Sequence, residues 1–475
     1  MRLKYILLVA SLSMPIFAGL HNLTLSKALD ILDKNNLEIK IAKFETQMKK
    51  YEQKAAEGHS YGKLDLTMMA MRSNDAGNVF GFKLQSREAT FGDFGFSEFL
   101  GGIGGAMLTA GGNFGTFTNI MSNPAAQAQM LNIAPADLNF PDARNHFSTK
   151  FTYQLPVYTG GKLTEYKNIT RSMYEMSKMD LAKVRSIKRF EVKKTFYDIA
   201  LIRNYIHNLS QIIRNIEKLS NIIHEMKNEG YAQETDKLEV KARMSEARSM
   251  LSQARLNQQL AYQFLSFLLN SDVSSIKSST TSVKVPKITK AMIYNRNLDI
   301  QKAKLGYKIT GMALELERAN FKPMVGAFAE YGSADNKPFN DFFDKDSYTV
   351  GMQMQYNIFN GGTDMANLEK ARVNRMKVHD QVILAMRGIS LKVKKLQTEI
   401  GGFNADIRSY SAQLRFARTV YKKYQEKYKE GIVSISDVLM KQAKELEVLL
   451  KLLTAKNSRN GKVFELHSLL NIGVK

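Results

Sequence analysis

The chain has 475 residues and a net charge of +23, from 68 lysines and arginines against 45 aspartates and glutamates. It has no cysteine, so we expect neither disulfides nor a lipid anchor on an N-terminal cysteine. The positive residues are spread along the chain, with neither zinc-finger spacing nor an RNP-like aromatic strand. We therefore expect no nucleic acid partner, although a basic balance alone would allow one.

The first residues, MRLKYILLVASLSMPIFAG, have the parts of a secretory signal peptide. Arg2 and Lys4 form a positive end, residues 5–12 form an apolar core, and Ala18 offers a small residue for cleavage. We predict a signal peptide over residues 1–18, and hence export. No later apolar run reaches 18 residues, so strands are expected to make any membrane crossing.

The rest of the chain contains two related halves. QLPVYTGGK (154–162) and QYNIFNGGT (355–363) are 201 positions apart, and so are NEGYAQETDKL (228–238) and KEGIVSISDVL (429–439). Upstream, NNLEIKIAK (35–43) resembles RNLDIQKAK (296–304) at an offset of 261. These matches predict a first repeat over residues 19–285 and a second repeat over residues 286–475.

The change of offset gives the first repeat about 60 extra residues. They fall in a Gly-, Ala- and Asn-rich stretch around 91–145 that has no clear periodicity. We interpret this stretch as an extended surface loop. Its GGIGG sequence (101–105) lacks the lysine of a phosphate-binding loop and the spacing of a dinucleotide fold, so we expect no cofactor there.

Each repeat is predicted to contain two strands. The four segments are 63–72, 147–157, 323–332 and 348–358. The last alternates almost strictly, with Tyr348, Val350 and Met352 on one side, and its length suits a tilted membrane strand. A half-buried sheet in a soluble domain remains the alternative. If the strands cross a membrane, four cannot close a barrel, so two chains would give eight strands and three would give twelve.

A long helix is predicted after the second strand of each repeat. The segment 162–229 has no Pro or Gly and carries a heptad seam of apolar residues: Tyr205, Leu209, Ile212, Ile216, Leu219, Ile223 and Met226. A second apolar row beside it indicates neighbours on two sides, as in a wall of helices. The segment 363–430 contains Gly388, Gly401 and Gly402, where we expect bending.

Catalytic motifs are absent from the sequence. The seven histidines show no metal-ligand spacing, and neither GxSxG nor HExxH occurs. We therefore predict that the protein is not an enzyme and that it has no catalytic residues, no metal site and no cofactor.

Taken together, the repeat, the Gly-Gly turns and the two helix-helix turns resemble the TolC family of outer membrane channels over nearly all of the mature chain. The resemblance implies an α+β membrane protein: a homotrimer whose twelve strands, four per chain, form one β-barrel continued by a long α-helical barrel. It implies location in the outer membrane of a Gram-negative bacterium, in contact with lipid and extending into the periplasm. The expected role is the exit duct of a tripartite efflux pump or type I secretion system. The expected partners are a periplasmic adaptor (membrane fusion) protein and an inner-membrane transporter of the RND, ABC or MFS class.

The resemblance also implies sites. These are a periplasmic entrance at Tyr428, Asp437 and Asp236; adaptor-docking helix turns at Gly230, Tyr231, Gly431, Ile432 and Ser436; and barrel-to-tunnel turns at Gly160, Gly161, Gly361 and Gly362. Val433 and Met440 depart from the family pattern, which has an arginine and a second aspartate there, so a salt-linked latch is in doubt. Asp437 fits either an anionic ring near the axis or a cap on the returning helix.

An exported trimeric coiled-coil stalk, or a periplasmic adaptor without a pore, is the alternative function. Adaptors also carry helical hairpins, but they usually include a compact lipoyl-like module and lack paired strands of membrane length. The sequence leaves open both the substrate, whether drugs, metal ions or proteins, and the transporter class.

Overall fold

The computed structural model describes residues 19–230, 232–277, 283–338 and 340–472. The predicted signal peptide and Tyr231 lie outside the described residues. The chain divides into two compact units, and each unit draws residues from both repeats. The first unit contains the described residues of 19–52, 169–311 and 372–472, and the second contains those of 53–168 and 312–371.

The helices and strands follow one another in the order that the repeat predicts. Up to residue 277 they are α1 (Leu25–Asn35), α2 (Leu37–Gly58), β1 (Lys63–Ser73), α3 (Ala76–Gln85), α4 (Phe96–Thr109), α5 (Phe114–Ser122), α6 (Pro124–Leu131), α7 (Ala136–Asn139), β2 (Arg144–Tyr158), α8 (Lys162–Asn228) and α9 (Glu234–Leu269). From residue 283 they are α10 (Lys290–Arg296), α11 (Leu298–Arg318), β3 (Met324–Asp335), β4 (Asp346–Gln355), α12 (Thr363–Lys429) and α13 (Ile435–Leu469).

The strands form one antiparallel sheet in the order β1-β2-β3-β4. All four predicted strands are present, but β4 ends at Gln355, so Tyr356 and Ile358, which we expected in this strand, lie beyond it. Within the part of the chain that the structure describes, neither β1 nor β4 has a partner on its outer side. The sheet therefore has two open edges.

The bounds of the two long helices differ by 201 residues at both ends. The first, α8, covers Lys162–Asn228, and the second, α12, covers Thr363–Lys429, so each bound is displaced by the same number. Both are continuous, including at Gly388, Gly401 and Gly402. The heptad seam of α8 is buried at Leu209, Ile216, Leu219 and Ile223.

A buried asparagine connects each short helix to the end of a returning helix. Asn36 Nδ2 donates to the carbonyl of Leu268 at 2.8 Å, and Asn36 Oδ1 accepts from the N–H of Ile39 at 3.0 Å. Asn297 donates to the carbonyl of Leu469 at 2.8 Å and accepts from the third residue of α11 at 2.9 Å. The two asparagines differ by the 261 offset and the two carbonyls by the 201 offset, so the duplication extends to individual hydrogen bonds.

The long insertion after β1 is not the irregular loop that we expected. It forms helices α3 to α7, and short polar side chains cap the first turns of α3, α5 and α6. Asp75 Oδ1 accepts from the N–H of Asn78 at 3.0 Å, and Asn113 Oδ1 accepts from the N–H of Thr116 at 3.1 Å. Asn123 caps α6, which begins with a proline at its first position. The Asn residues that we took as loop composition therefore act as helix starts.

The paired asparagines give a test of the duplicated core. Asn36→Ala and Asn297→Ala should each lower the free energy of unfolding by about 1–3 kcal/mol, because each removes a cap and leaves a buried carbonyl unbonded. Asn208→Ala is the control, since Asn208 is exposed and donates only to the carbonyl of Asn204 within its own helix. Thermal unfolding midpoints measure the difference, and equal midpoints for all three variants would contradict the assignment.

Candidate functional site

Each strand-to-helix corner is formed by a Gly-Gly pair with left-handed backbone. The φ angles are +65° at Gly160 and +97° at Gly161, and +68° at Gly361 and +82° at Gly362. Residues with a Cβ atom rarely adopt such angles, which explains why both corners use glycine. The two corners thus have the same backbone conformation, 201 positions apart.

The two corners differ in how closely other backbone approaches. A Cβ atom on Gly160 would lie 2.8 Å from the carbonyl oxygen of Ala319 and 2.9 Å from Lys322 Cβ. A Cβ atom on Gly361 would have no atom within 4 Å. Only the first corner therefore requires glycine for space as well as for its backbone angle.

The two helix-helix turns also repeat one conformation. Gly230 has φ +84° and donates to the carbonyl of Lys227 at 3.0 Å; Gly431 has φ +71° and donates to the carbonyl of Tyr428 at 3.0 Å. The N–H of Ile432 then bonds back to the carbonyl of Lys427 at 2.9 Å, which completes a glycine C-cap. Ile432 is exposed, with 64% of its surface accessible in the single chain.

An aspartate closes the first turn of each returning helix. The N–H of Ser434 donates to Asp437 Oδ2 at 3.2 Å, and the N–H of Asp437 donates to Ser434 Oγ at 3.2 Å. In the first repeat the N–H of Gln233 donates to Asp236 Oδ2 at 3.0 Å. Each aspartate is the third helical residue of a reciprocal capping pair, and the preceding Ser434 or Gln233 is the N-cap residue.

The capping bonds favour the ionised form of the Asp437 carboxyl. The hydroxyl of Ser434 donates to Asp437 Oδ2 at 2.6 Å, and this bond, followed by the backbone bond from the same residue, lowers the pKa of the Asp437 carboxyl. Of the two roles left open by the sequence, the single chain displays a capping role, but the N-cap is Ser434 and not Asp437 as we expected, because Asp437 is the third residue of the helix. The anionic ring concerns several chains and stays a prediction.

Beneath the turns, α8, α9, α12 and α13 share one apolar cluster, which we call the turn cluster. It comprises Ile213, Ile216, Leu219, Ile223, Val240, Ala247, Tyr421, Tyr428, Ile435, Val438 and Leu439. Tyr428 is 6% exposed, and burial, with a smaller contribution from the charge of Asp236, raises the pKa of its hydroxyl. Tyr428 therefore packs inside this cluster in the single chain.

Sequence reasoning missed two contacts that connect helices around the turns. Tyr421 Oη accepts from Gln442 Nε2 at 3.1 Å, and burial raises the pKa of Tyr421 to about 12. Ser436 Oγ donates to Glu239 Oε1 at 3.1 Å and so connects the two turns directly. Both contacts join residues on different helices, and no sequence spacing signals them.

The two residues that depart from the family pattern, Val433 and Met440, carry no charge and cannot form an ion pair. Val433 is half-buried and packs against the turn cluster, and Met440 is 50% exposed. The nearby charges belong instead to Lys427 and Lys441, whose ammonium groups lie 5.9 Å and 5.0 Å from the ring centre of Tyr424. A salt-linked latch through positions 433 and 440 is therefore not possible.

The sheet has one apolar and one polar face. The apolar face carries Leu64, Leu66, Met68, Phe151, Tyr153, Ala329, Tyr331, Tyr348, Val350, Met352 and Met354, which the strand register places side by side. The opposite face, which we call the polar face, carries Asp65, Thr67, Lys150, Thr152, Glu330, Thr349 and Gln353, together with the apolar Met69, Met71 and Phe328. On it, Lys150 Nζ lies 3.0 Å from Glu330 Oε2.

Two features are absent from the described residues. They contain no group of three or more His, Asp or Glu side chains that could hold a metal ion. None of the described helices is both long enough and apolar enough to cross a membrane.

The two corners provide a matched pair of substitutions. Gly361→Ala should lower the free energy of unfolding by about 1–2 kcal/mol, because alanine is strained at positive φ. Gly160→Ala should lower it further, because its Cβ also meets Ala319 and Lys322. Thermal unfolding of both variants beside the parent checks the order; a Gly160→Ala variant as stable as Gly361→Ala would show that the backbone at Ala319 moves freely.

Comparisons with known proteins find one matching family model and several similar solved structures. A family model described as outer membrane efflux protein matches residues 292–471. A search of curated protein sequences finds no match. Among solved structures, VceC from Vibrio cholerae is similar with a TM-score of 0.75 at 12% identity, over 95% of this chain and 97% of that one.

Two further solved structures have a similar fold. CusC has a TM-score of 0.75 at 14% identity, over 96% of this chain and 92% of its own, and the Campylobacter jejuni outer membrane channel CmeC has a TM-score of 0.72 at 13% identity, over 94% and 86%. At these identities the likeness establishes the fold. Members of the matched family are outer membrane channels and not enzymes. Residues 292–471 are similar to the outer membrane efflux protein family, and the chain has the fold of TolC-type channels.

Proposed function

We propose that three copies of this chain form one twelve-stranded barrel in the outer membrane and a gated helical duct in the periplasm. Efflux across the outer membrane, by an oligomer that works with an adaptor and an inner-membrane pump, is the property of the family. The trimer, the gate at Asp437, docking of a periplasmic adaptor at the helix turns, and service to an RND, ABC or MFS efflux transporter or a type I secretion system are the proposal.

The observation that carries the proposal is the pair of open sheet edges. Backbone groups at an edge cannot remain unbonded in lipid, so β1 and β4 need partners if this two-faced sheet lies in a membrane. The apolar face suits lipid and the polar face suits a water-filled lumen. A stalk or adaptor without a pore has no use for such a sheet, which disfavours the alternative function.

The duplication indicates which edge meets which. Within the chain, β2 of the first repeat pairs with β3 of the second, with Tyr153 opposite Ala329. Adding 201 to Tyr153 gives Met354 in β4, and subtracting 261 from Ala329 gives Met68 in β1. We therefore expect β4 of one copy to pair with β1 of the next, with these two methionines opposite each other. Two different edges that meet in this way form a heterologous contact, and such contacts close into rings.

The helices show the same missing neighbour. Within the chain α11 contacts α12, where the guanidinium of Arg375 lies 5.3 Å from the ring centre of Tyr307. It also contacts α8, where Lys183 Nζ lies 2.5 Å from Asp299 Oδ1. Its counterpart α2 contacts α8, where Lys188 Nζ lies 2.7 Å from Glu38 Oε1.

On its other side, α2 exposes a complete heptad seam. The seam comprises Leu37, Ile41, Phe44, Met48 and Tyr51, each more than half exposed. Subtracting 261 from Asp299 gives Glu38, and adding 201 to Lys183 gives Leu384. The contact of Asp299 with Lys183 inside the chain therefore predicts that Glu38 contacts Leu384 of a neighbouring copy. Leu384 is itself 70% exposed. The neighbour that α2 lacks is therefore α12 of the next copy.

Cross-linking tests this ring directly, because the chain has no cysteine. The double variant Ile41→Cys/Leu384→Cys should cross-link into dimers and closed trimers with a short bismaleimide in membranes. Ile41→Cys paired with Phe416→Cys is the control, since Phe416 is also exposed but lies 32 positions further along α12. Cross-linking of the control alone, or of neither variant, would contradict the proposed arrangement.

Planar-bilayer conductance tests the gate. The purified parent should give a small, steady, cation-preferring conductance, and Asp437→Ala should enlarge it or remove its selectivity. Because capping lowers the pKa of Asp437, its charge persists as pH falls through the usual aspartate range near 4 and is lost only below it. The preference of the channel for cations should therefore persist as pH falls through the range near 4 and disappear only below it.

Ser434→Ala is the matched control for this experiment. It removes both bonds of the Ser434 hydroxyl, including the one to Asp437 Oδ2 that Asp437→Ala also removes, but keeps the carboxylate. If Ser434→Ala opens the channel as much as Asp437→Ala does, Asp437 acts as a cap and the ring is excluded. If neither change alters the conductance, the channel stands and Asp437 has no part in its gate. No conductance from a cross-linked trimer would favour the stalk.

A further inference from the structure

The insertion between β1 and β2, residues 74–143, differs in composition from the rest of the chain. Between residues 96 and 135 it contains one charged side chain, Glu98, whereas 24% of the whole chain is charged. A solvated surface segment ordinarily carries many charges. The composition of this stretch is therefore that of a surface that something else covers.

Helices α4, α5 and α6 of the insertion bury almost nothing within the chain. Neither α5 nor α6 buries any residue, and α4 buries only Ala106. Their exposed apolar side chains include Phe96, Leu100, Leu108, Phe114 and Leu131. Helices of 8–14 residues are marginal in water unless they pack on a partner. A surface on which several large apolar side chains are exposed together marks an interaction site.

The insertion is attached on the polar side of the sheet. The ring of Phe82 in α3 stacks on the ring of His146, with centres 4.1 Å apart, and both side chains are buried. His146 alternates with Ser148 and Lys150 on the polar face of β2. On the apolar face at the same end, Tyr331 is instead met by Phe342 of the β3–β4 connection, with ring centres 6.0 Å apart.

Ion pairs hold the attachment in place. Glu88, just after α3, pairs with Arg144 at the start of β2 and with Lys345 just before β4, whose Nζ lies 2.6 Å from Glu88 Oε1. Lys345 also lies 3.0 Å from Asp335 Oδ1 at the end of β3. The insertion is thus tied to three strands at the end of the sheet opposite the Gly-Gly corners.

We propose that the insertion is a self-association surface: α4, α5 and α6 of each copy pack against the same helices of the neighbouring copies. Because the attachment lies on the polar face, which is the luminal face in the proposed trimer, the three insertions meet over the mouth of the barrel and cap it. This inference rests on the proposed function, since it requires the ring of three chains.

Charge and area both favour a second copy as the occupant. Identical surfaces that meet around an axis carry identical charges, so a surface nearly free of charge meets little repulsion from its copies even in a chain of net charge +23. An aromatic side chain offers roughly 200 Å². The exposed phenylalanines and leucines together therefore provide an area of the same order as the roughly 800 Å² per partner of a stable interface. A lipid surface would require the attachment on the apolar side.

Single cysteines in the cysteine-free chain test the cap. Leu108→Cys, Phe114→Cys and Leu131→Cys each place one thiol on α4, α5 or α6, and a short bismaleimide should convert at least one of these proteins to dimers. One thiol per chain can join only two of three chains, so dimer and monomer bands are expected together. Phe343→Cys is the control; Phe343 is 81% exposed at the same end of the sheet but lies outside the insertion, and it should stay monomeric.

The trimer is verified first, with the Ile41→Cys/Leu384→Cys protein. If that protein forms no ring, the proposed function fails and the cap fails with it. If the ring forms and none of the three insertion cysteines gives a dimer, the cap alone is overturned. A fluorophore on these cysteines that is quenched by spin-labelled lipid would also overturn it, and would assign the surface to the membrane.

A functional readout follows from the same geometry. In the verified trimer, Leu108→Glu and Phe114→Glu place like charges in the apolar contact, and both should raise single-channel conductance by separating the three insertions. Phe343→Glu should leave conductance unchanged. Equal conductance of all three variants and the parent would show that the insertions do not obstruct the mouth.

Discussion

The constraint on which this structure depends is that backbone hydrogen-bonding groups cannot remain unbonded away from water. A four-stranded sheet with an apolar face leaves two edges unbonded, and a single chain has no means to satisfy them. The exposed heptad seam of α2 leaves an apolar surface uncovered in the same way. In the proposed trimer, a second copy that presents its β4 edge and its α12 surface satisfies both. The open edges and the exposed seam are two independent arguments for that proposal.

In the proposed trimer, the duplication supplies the complementarity between the copies. Because α8 and α12 have identical lengths and begin 201 positions apart, the contacts between the two repeats inside one chain serve as a template for the contacts between chains. Insertion of one residue in either helix would rotate everything beyond it by about 100° and destroy this correspondence. The insertion after β1 is tolerated because it lies between strands, where added residues leave the register of the sheet unchanged.

Much of this architecture could be predicted from the sequence, because its signals are local or periodic. The Gly-Gly corners, the long helices and the four strands each follow from spacing within a short window. The helices of the insertion were missed because each is short, and its cap residues, such as Asn113, are equally common in loops. The contacts of Tyr421 with Gln442 and of Ser436 with Glu239 join different helices, so no local pattern encodes them. The cap formed by Asp437 could be predicted as an alternative, since a serine three residues before an aspartate is a known helix start.

The pairing of β2 with β3 has a consequence for the order of folding. Phe151 and Tyr331 lie opposite each other although they are 180 positions apart. Closing so long a loop costs conformational entropy before any contact offsets it, whereas α8 with α9, and α12 with α13, meet across turns of a few residues. We therefore expect the helical hairpins to form early and the sheet to form late. Until then the strands exist as separate segments with uncovered edges, and such edges make a partly folded chain prone to aggregate.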